Sequence, residues 1–100
     1  MLTSYYIRQP KVKDEEFHRI RETDSGYFVT WCGEIGAFDD GGKVVASLKQ
    51  LVADALLCRS CLREEASFAG EDLVRLRIGP EPMTVRLFKL MLADLNIKWG

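Results

Sequence analysis

The chain has 100 residues, of which 47% are hydrophobic and 29% charged, and its formal net charge is −1. This length predicts a single domain over residues 1–100 with a small core. The near-balanced charge argues against a surface built as a whole around a phosphate backbone, and no apolar run approaches the roughly 18 residues that a membrane span requires.

The N-terminal residues and the cysteine count indicate the cellular location. The stretch MLTSYYIRQPKVKDEE has no apolar core of the kind found in secretory signal peptides. Three cysteines are an odd number, which disfavours a closed disulfide framework. We therefore expect a cytoplasmic, reducing location and no membrane association.

The first part of the chain predicts a β-hairpin. Residues 1–13 mix apolar and charged side chains and favour an extended arm or an edge strand. Two segments rich in aromatic and β-branched residues, EFHRIRE and GYFVTWC, flank TDSG, which predicts a hairpin over about residues 16–32. The following GEIGAFDDGG contains four glycines and two aspartates and is typical of a loop.

The rest of the chain predicts two main helices and one further strand. ASLKQLVADALL repeats apolar residues at helical spacing, so we expect a helix over about 44–57, with Ser47 and Gln50 as a capping box. LREEA, after the last cysteine, adds one or two helical turns. The alternation in DLVRLRI predicts a half-buried strand over about 72–78, and MTVRLFKLMLADL predicts a helix over about 82–95. The expected fold class is α+β.

The sulfur and imidazole side chains of the sequence form a complete metal-ligand set. Cys58 and Cys61 lie three residues apart in CRSC, and the remaining cysteine and the single histidine are Cys32 and His18. Three sulfurs and one imidazole nitrogen complete a tetrahedral structural Zn²⁺ site and leave no open position for a catalytic water. Zn²⁺ is therefore the expected cofactor.

The hairpin turn predicts which of these ligands face each other. A three-residue loop that ends at Gly26, the position that needs φ > 0, would pair Thr23 with Tyr27. The same register places His18 opposite Cys32, where Cβ atoms of paired residues lie about 4.5–5.5 Å apart. Both side chains could then reach one metal ion.

The ligand pattern resembles that of short zinc-finger proteins from actinobacteria and their phages. In that family a histidine lies in a first strand, T-x-C-G ends a second strand and C-x-x-C opens a short helix. The matching residues here are His18, TWCG at 30–33 and CRSC at 58–61. The resemblance covers about residues 17–65 and implies a structural zinc in a small binding module without catalytic residues. The chain departs from the family where a whole predicted helix separates the second and third ligands.

Other interpretations of the cysteines stay open at this point. Cys58 and Cys61 could be ordinary buried thiols, or a thiol redox pair, although no clear strand of a βαβ unit precedes them. No pair of acidic residues stands in a context for acid–base chemistry, and the sequence contains no phosphate loop, nucleophile elbow or two-histidine metal motif. We therefore expect that the protein is not an enzyme.

The favoured function is a regulatory protein-interaction module, in a phage context directed at a host protein. Between Met83 and Leu95 the apolar residues fill more than the one stripe that a helix needs to lie on a core. We expect a protein partner or a second copy of the chain to bind there, through Leu87, Leu90, Met91 and Trp99. Alternatively, the predicted helix over 44–57 covers this second face.

The alternative function is a zinc-dependent nucleic-acid-binding regulator. Arg75 and Arg77 lie on one side of the predicted strand over 72–78, and other basic residues could join them in a phosphate-binding patch. These additional residues are Arg59, Arg63, Arg86 and Lys89. The simpler interpretation of the two strand arginines is a solvated strand face.

Overall fold

The computed structural model describes residues 5–9, 15–39, 42–68 and 81–96, and these ranges form an α+β fold, as predicted. The strands are β1 (Tyr5–Arg8), β2 (Glu16–Asp24), β3 (Tyr27–Thr30), β4 (Ile35–Ala37), β5 (Val44–Ser47), β6 (Leu56–Leu57) and β7 (Met83–Thr84). The helices are α1 (Arg59–Phe68) and α2 (Val85–Asp94), and a 3₁₀ turn covers Leu48–Gln50. The predicted hairpin, the helical turns after the last cysteine and the C-terminal helix are all present, whereas the predicted strand over 72–78 lies outside the described residues.

The nine-residue strand β2 is the strand on which the sheet is built. It pairs antiparallel with β1 and with β3, and parallel with β6. The strand order is β4-β3-β2-β1-β5, and β6 joins β2 to β7. The first strand was expected to be an arm or an edge strand, but β5 pairs with its outer side and makes it internal. The segment expected to be a loop contains β4, which pairs with β3.

The hairpin turn between β2 and β3 is one residue shorter than the sequence predicted. Asp24 pairs with Tyr27, so the loop contains only Ser25 and Gly26, whose φ angles are 50° and 85°. Two successive residues with φ > 0 are the signature of a type I′ turn, whose twist matches that of the flanking strands. The predicted three-residue loop is therefore wrong, while the positive φ of Gly26 is confirmed.

A β-bulge restores the predicted register further along the hairpin. The pairing shifts by one residue between Ile20 and Glu22, and beyond the shift Ile20 pairs with Thr30. This is the pair that the three-residue loop would also have produced. A bulge adds one residue to one strand of a pair. The shift in register caused by the short turn is therefore cancelled by the shift caused by the bulge.

The predicted helix over 44–57 is wrong. Its first part is β5, whose residues pair with β1, and its last part is β6. The adjacent β-branched residues Val44 and Val45 favour an extended strand. The apolar stripe of the expected helix is not buried as a unit, because Val52 is 71% exposed while Leu51 is buried.

The predicted capping interaction exists on a smaller element than expected. The Gln50 side-chain carbonyl accepts the backbone N–H of Ser47 at 2.8 Å, but it closes only the 3₁₀ turn. The helix α2 begins at Val85, three residues later than predicted, because β7 pairs with β6. The Thr84 hydroxyl caps α2 by accepting the backbone N–H of Leu87 at 3.2 Å.

Two apolar clusters hold the sheet and the helices together. The larger cluster joins the sheet to both helices through Tyr6, Phe17, Leu51, Leu57, Leu62, Val85, Phe88 and Leu92. The smaller one contains Ile7, Ile20 and Phe28. A buried ion pair, Arg19 Nη2 to Glu65 Oε2 at 3.4 Å, also ties β2 to α1. The second turn of α1 is therefore held close to the middle of β2.

The turn geometry predicts opposite effects for substitutions at its two positions. Gly26→Ala places a Cβ at φ +85° and is expected to lower the free energy of unfolding by about 1–2 kcal/mol. Ser25→Asn is expected to raise it slightly, because asparagine adopts φ > 0 more readily than serine. Urea unfolding of both variants measures the difference. A Gly26→Ala variant as stable as the parent protein would contradict the type I′ turn.

Candidate metal centre

Two chain segments meet the same edge of β2, one on each side of His18. The carbonyl of Phe17 accepts the backbone N–H of Cys58 at 2.9 Å, and the carbonyl of Arg19 accepts that of Trp31 at 3.0 Å. Carbonyls two residues apart in a strand point to the same edge. The end of β3 and the end of β6 therefore lie along one edge, and the cysteines that follow both strands arrive beside His18.

The four predicted ligand residues come together in a candidate metal site. One ligand atom from each of His18, Cys32, Cys58 and Cys61 lies within 4.8 Å of the others. The Nδ1 atom of His18 is 3.4 Å from the Cys32 sulfur and 3.8 Å from the Cys61 sulfur. Cys32 is half-buried and the other three residues are buried. The three thiols form no disulfide.

The predicted opposition of His18 and Cys32 arises in a different way from the one expected. The ladder between β2 and β3 ends at the pair Ile20 and Thr30, so His18 and Cys32 are not strand partners. Cys32 lies in the turn directly after β3, and its side chain reaches His18 from there. The contact is confirmed, whereas the direct cross-strand pairing is not present.

The C-x-x-C spacing is explained by the start of α1. Cys58 immediately precedes the helix and its carbonyl accepts the Leu62 N–H at 3.2 Å, while Cys61 is the third helical residue. Both sulfurs therefore lie at the positive end of the helix dipole, where anionic groups are stabilised. The first turn of α1 contains no acidic residue that would compete with them. This position suits sulfurs that share a cation.

The turn that carries Cys32 is closed by its own backbone. The Thr30 N–H donates to the Glu34 carbonyl at 2.8 Å, and the Gly33 N–H donates to the Thr30 carbonyl at 3.0 Å. Gly33 has φ +96°, a conformation that residues with a Cβ rarely adopt. The turn is therefore a fixed support for the Cys32 sulfur.

Thr30 supports the sulfur of Cys32 with its hydroxyl group. The Thr30 Oγ1 atom accepts the Glu34 N–H at 3.0 Å and lies 3.2 Å from the Cys32 Sγ atom. Because the hydroxyl oxygen already accepts from an N–H, its own proton is available to the sulfur. The buried hydroxyl thus provides a hydrogen bond that stabilises a Cys32 thiolate.

Glu34 approaches His18 from the side opposite to the sulfurs. Its Oε2 atom lies 3.7 Å from the His18 Nε2 atom, while the His18 Nδ1 atom faces the cysteines. A carboxylate next to the second ring nitrogen of a ligating histidine fixes the ring orientation and its tautomer. The arrangement therefore favours Nδ1 as the candidate ligand atom of His18.

The electrostatics of the four groups indicate a cluster that is suited to a cation. Hydrogen bonds from the Cys58 and Cys61 thiols lower the pKa of Cys32 well below its usual range. The pKa of Cys61 is raised, because it donates to Cys32 and Cys58 and because it is buried. Burial alone would lower the pKa of His18, but hydrogen bonds with Cys32 and Cys58 outweigh it and raise that pKa. A divalent cation can replace the shared protons and allow all three cysteines to be thiolates.

The sequence identified the four residues of the candidate site but missed the residues around them. Thr30 was noted as part of TWCG without a role, and Glu34 was not assigned one. Their spacing from Cys32 could have indicated these roles, because Thr30 precedes Cys32 by two residues and Glu34 follows it by two. The Arg19–Glu65 ion pair, which fixes α1 against β2, has no signal in the local sequence.

The remaining predicted site residues lie apart from the cluster. Leu87 and Leu90 on α2 are 57% and 61% exposed, whereas Met91 is half-buried and packs against the larger core cluster. Trp99, Arg75 and Arg77 lie outside the described residues. Within the described ranges, no helix has the length and apolar character needed to cross a membrane.

Comparisons with protein families, with curated proteins and with solved structures found no match to this chain. The resemblance to short zinc-finger proteins therefore rests on the ligand residues and their order. The structure supports it to the extent that the histidine and the three cysteines form one cluster.

Removal of the Glu34 carboxylate is expected to weaken divalent metal binding at the cluster by about 10–100-fold, as is typical for partners of ligating histidines. The reason is that the His18 ring loses the group that holds Nδ1 toward the sulfurs. Competition between the Glu34→Ala variant and a chromophoric chelator measures the change. Glu22→Ala, at an exposed carboxylate on β2, is the control and should keep the parent affinity. Equal affinities for both variants would exclude a role of Glu34 in holding the ring.

Proposed function

We propose that His18, Cys32, Cys58 and Cys61 bind one Zn²⁺ ion in a structural role. With Zn–S bonds of about 2.3 Å and Zn–N bonds of about 2.0–2.1 Å, a tetrahedron has N–S edges of about 3.6 Å. The two distances from His18 Nδ1, 3.4 and 3.8 Å, lie on either side of that value. This match is the observation that carries the assignment.

The chemistry of the ligands favours zinc and a structural role. Thiolates and imidazole select Zn²⁺ over Mg²⁺ and Ca²⁺, which prefer oxygen ligands. Four protein ligands fill a tetrahedral zinc site and leave no position for a water or a substrate. The same argument supports our expectation that the protein is not an enzyme.

The position of the ligands explains what the metal would stabilise. Cys32 belongs to the turn between β3 and β4, while Cys58 and Cys61 belong to the junction of β6 with α1. Both regions lie next to β2, and the two apolar clusters of this short chain are small. Zn²⁺ would therefore hold together segments that the core alone holds weakly.

We further propose that this scaffold is a regulatory protein-interaction module that acts through α2. Leu87 and Leu90 lie one turn apart on the exposed side of this helix, and neither packs in the core. The charges near them largely cancel, because Arg86 pairs with Asp54 at 3.3 Å and the exposed Lys89 and Asp94 have opposite signs.

A second copy of the chain is the partner that this surface favours. An apolar surface without net charge can pack against its own copy without like-charge repulsion, which suits the interface of a two-fold dimer. The resemblance to short zinc-finger proteins of actinobacteria and their phages supports a regulatory setting, in which a host protein is the alternative partner. The choice between the two is an outcome of the test on α2.

Removal of the metal is expected to unfold or loosen the protein. Structural zinc contributes on the order of 10 kcal/mol of apparent folding free energy in small zinc-binding peptides. Native mass spectrometry should find one Zn²⁺ per chain after purification without chelators, and chelation should collapse the dispersion of the amide NMR spectrum.

Two variants on α1 separate loss of the metal from a general effect of mutation. Cys61→Ser removes a buried ligand and should abolish stoichiometric zinc binding. Ser60→Ala changes the exposed neighbouring residue and should keep one zinc ion per chain. Metal-free protein that retains the full native spectrum would exclude a structural role for the ion.

Charge on the exposed side of α2 is expected to break self-association. Leu87→Lys and Leu90→Lys should each shift the sedimentation equilibrium toward the monomer, because a lysine cannot be buried against its own copy without a partner charge. Ile35→Lys, at an apolar residue of β4 that is 78% exposed, is the control and should leave the equilibrium unchanged. A parent protein that is monomeric at high concentration would exclude the dimer and leave a different protein as the partner.

A further inference from the structure

We propose that the outer face of α1, together with Trp31, binds single-stranded nucleic acid. Arg59 and Arg63 contact the phosphates, and Phe68 with Trp31 provides a surface on which a base stacks. This inference goes beyond the proposed role of the metal and of α2. We call this surface the α1 strip, and it consists of Arg59, Ser60, Arg63, Ser67, Phe68 and Trp31.

The first observation is a polar pocket on the solvent side of α1. It has a volume of about 250 Å³ and is lined by Arg59, Ser60, Arg63, Glu64 and Ser67. Four of these five side chains carry hydrogen-bond donors suited to phosphate oxygens. The pocket is thus chemically unlike the apolar groove at the hairpin, which Tyr27, Phe28 and Ile35 line among others.

The second observation is that neither arginine has a carboxylate partner among the described residues. The described ion pairs of α1 involve Glu65, which points inward to Arg19, and neither Arg59 nor Arg63 forms an ion pair within the described part of the chain. The two arginines lie four residues apart, so they are neighbours on the helix surface about 5–6 Å apart at Cβ. Both guanidinium groups are therefore available to phosphates of one strand.

The third observation is an aromatic pair at the other end of the same helix. Phe68 is 69% exposed and directly follows Ser67, which lines the pocket. Its ring centroid lies 5.2 Å from that of Trp31, and the Arg21 guanidinium lies 5.1 Å from the Trp31 ring. Phe68 is exposed and Trp31 is half-buried, and cations followed by accessible aromatic rings are the combination that proteins use to bind single strands.

The aromatic pair is what distinguishes a single strand from other phosphate ligands. Bases in a duplex are stacked on each other and cannot lie on a side chain, whereas unpaired bases can. The formal charge of −1 for the whole chain does not conflict with this, because phosphate binding at the strip depends on the local pair Arg59 and Arg63 and not on the net charge. Glu64 is the acidic residue among the described pocket residues, and its repulsion should weaken the binding of phosphates.

Fluorescence anisotropy with labelled single-stranded DNA and RNA of about 12 nucleotides tests the proposal on the zinc-loaded protein. The double variant Arg59→Gln/Arg63→Gln should lose about tenfold or more in affinity. Its slope of log K against log salt should fall by about 1.4, or 0.7 for each lost phosphate contact. The control Lys49→Glu changes the net charge by the same two units at an exposed residue of the 3₁₀ turn and should retain both values.

Two single substitutions give effects that a general loss of positive charge would not produce. Phe68→Ala should weaken binding by about 5- to 150-fold, the range observed for lost base–aromatic stacking, at unchanged salt slope. Glu64→Gln should tighten binding a few-fold, because it removes a negative charge beside the phosphates. Zinc content per chain, measured for every variant, shows that the fold is retained.

The same assay contains the results that would overturn the proposal. They are undetectable binding of the parent protein at low salt, equal affinity for duplex and single strands, or equal losses in the double variant and its control. An unchanged affinity in Phe68→Ala would also overturn it and leave only a non-specific anion patch. Binding to anionic phospholipid vesicles but not to oligonucleotides would assign the strip to a membrane surface instead.

Discussion

The structure depends on two backbone hydrogen bonds on either side of His18. The carbonyls of its two neighbours in β2 accept N–H groups from the turn after β3 and from the start of α1. These main-chain bonds bring the cysteines of both segments to the same part of β2. The proposed zinc would then join the two segments to His18 and stabilise this arrangement, as expected for a structural metal. This explains how ligands distant in sequence can meet in a chain with small apolar clusters.

The chemistry of the candidate site could be predicted from the sequence because it depends on residue type. A chain with one histidine and three cysteines has few ways to build a tetrahedral set. The supporting residues could not be predicted in the same way. The roles of Thr30 and Glu34 depend on a closed turn at Gly33, in which the Thr30 hydroxyl accepts the Glu34 N–H and contacts the Cys32 sulfur. Interactions of this kind depend on a few tenths of an ångström, which local sequence patterns do not encode.

The fold predictions were wrong where strand pairing between distant segments outweighs the local pattern of apolar residues. The segment over 44–57 has apolar residues at helical spacing, yet it forms β5 because β1 offers a strand edge to Val44 and Val45. Its other end forms β6, which brings Cys58 to β2. The predicted pairing of Ile20 with Thr30 was right, but the predicted turn was one residue too long. Nothing in the sequence around Ile20 marks the bulge that compensates for the shorter turn. Secondary-structure propensity is weak compared with such tertiary constraints.

The helix α1 carries residues of both the proposed metal site and the α1 strip. Loss of the metal site is expected to affect the strip, whereas loss of the strip is not expected to affect the metal site. Its inner side carries Cys61 and the Glu65 partner of Arg19, and its outer side carries the arginines of the α1 strip. A helix of ten residues is too short to be stable alone in water, so the spacing of its outer arginines depends on the inner contacts that hold it. Loss of the metal ligands would therefore disturb the strip, because Cys58 and Cys61 fix the start of the helix. Loss of the arginines is expected to leave the metal ligands in place, because neither arginine belongs to the apolar clusters or to the Arg19–Glu65 ion pair.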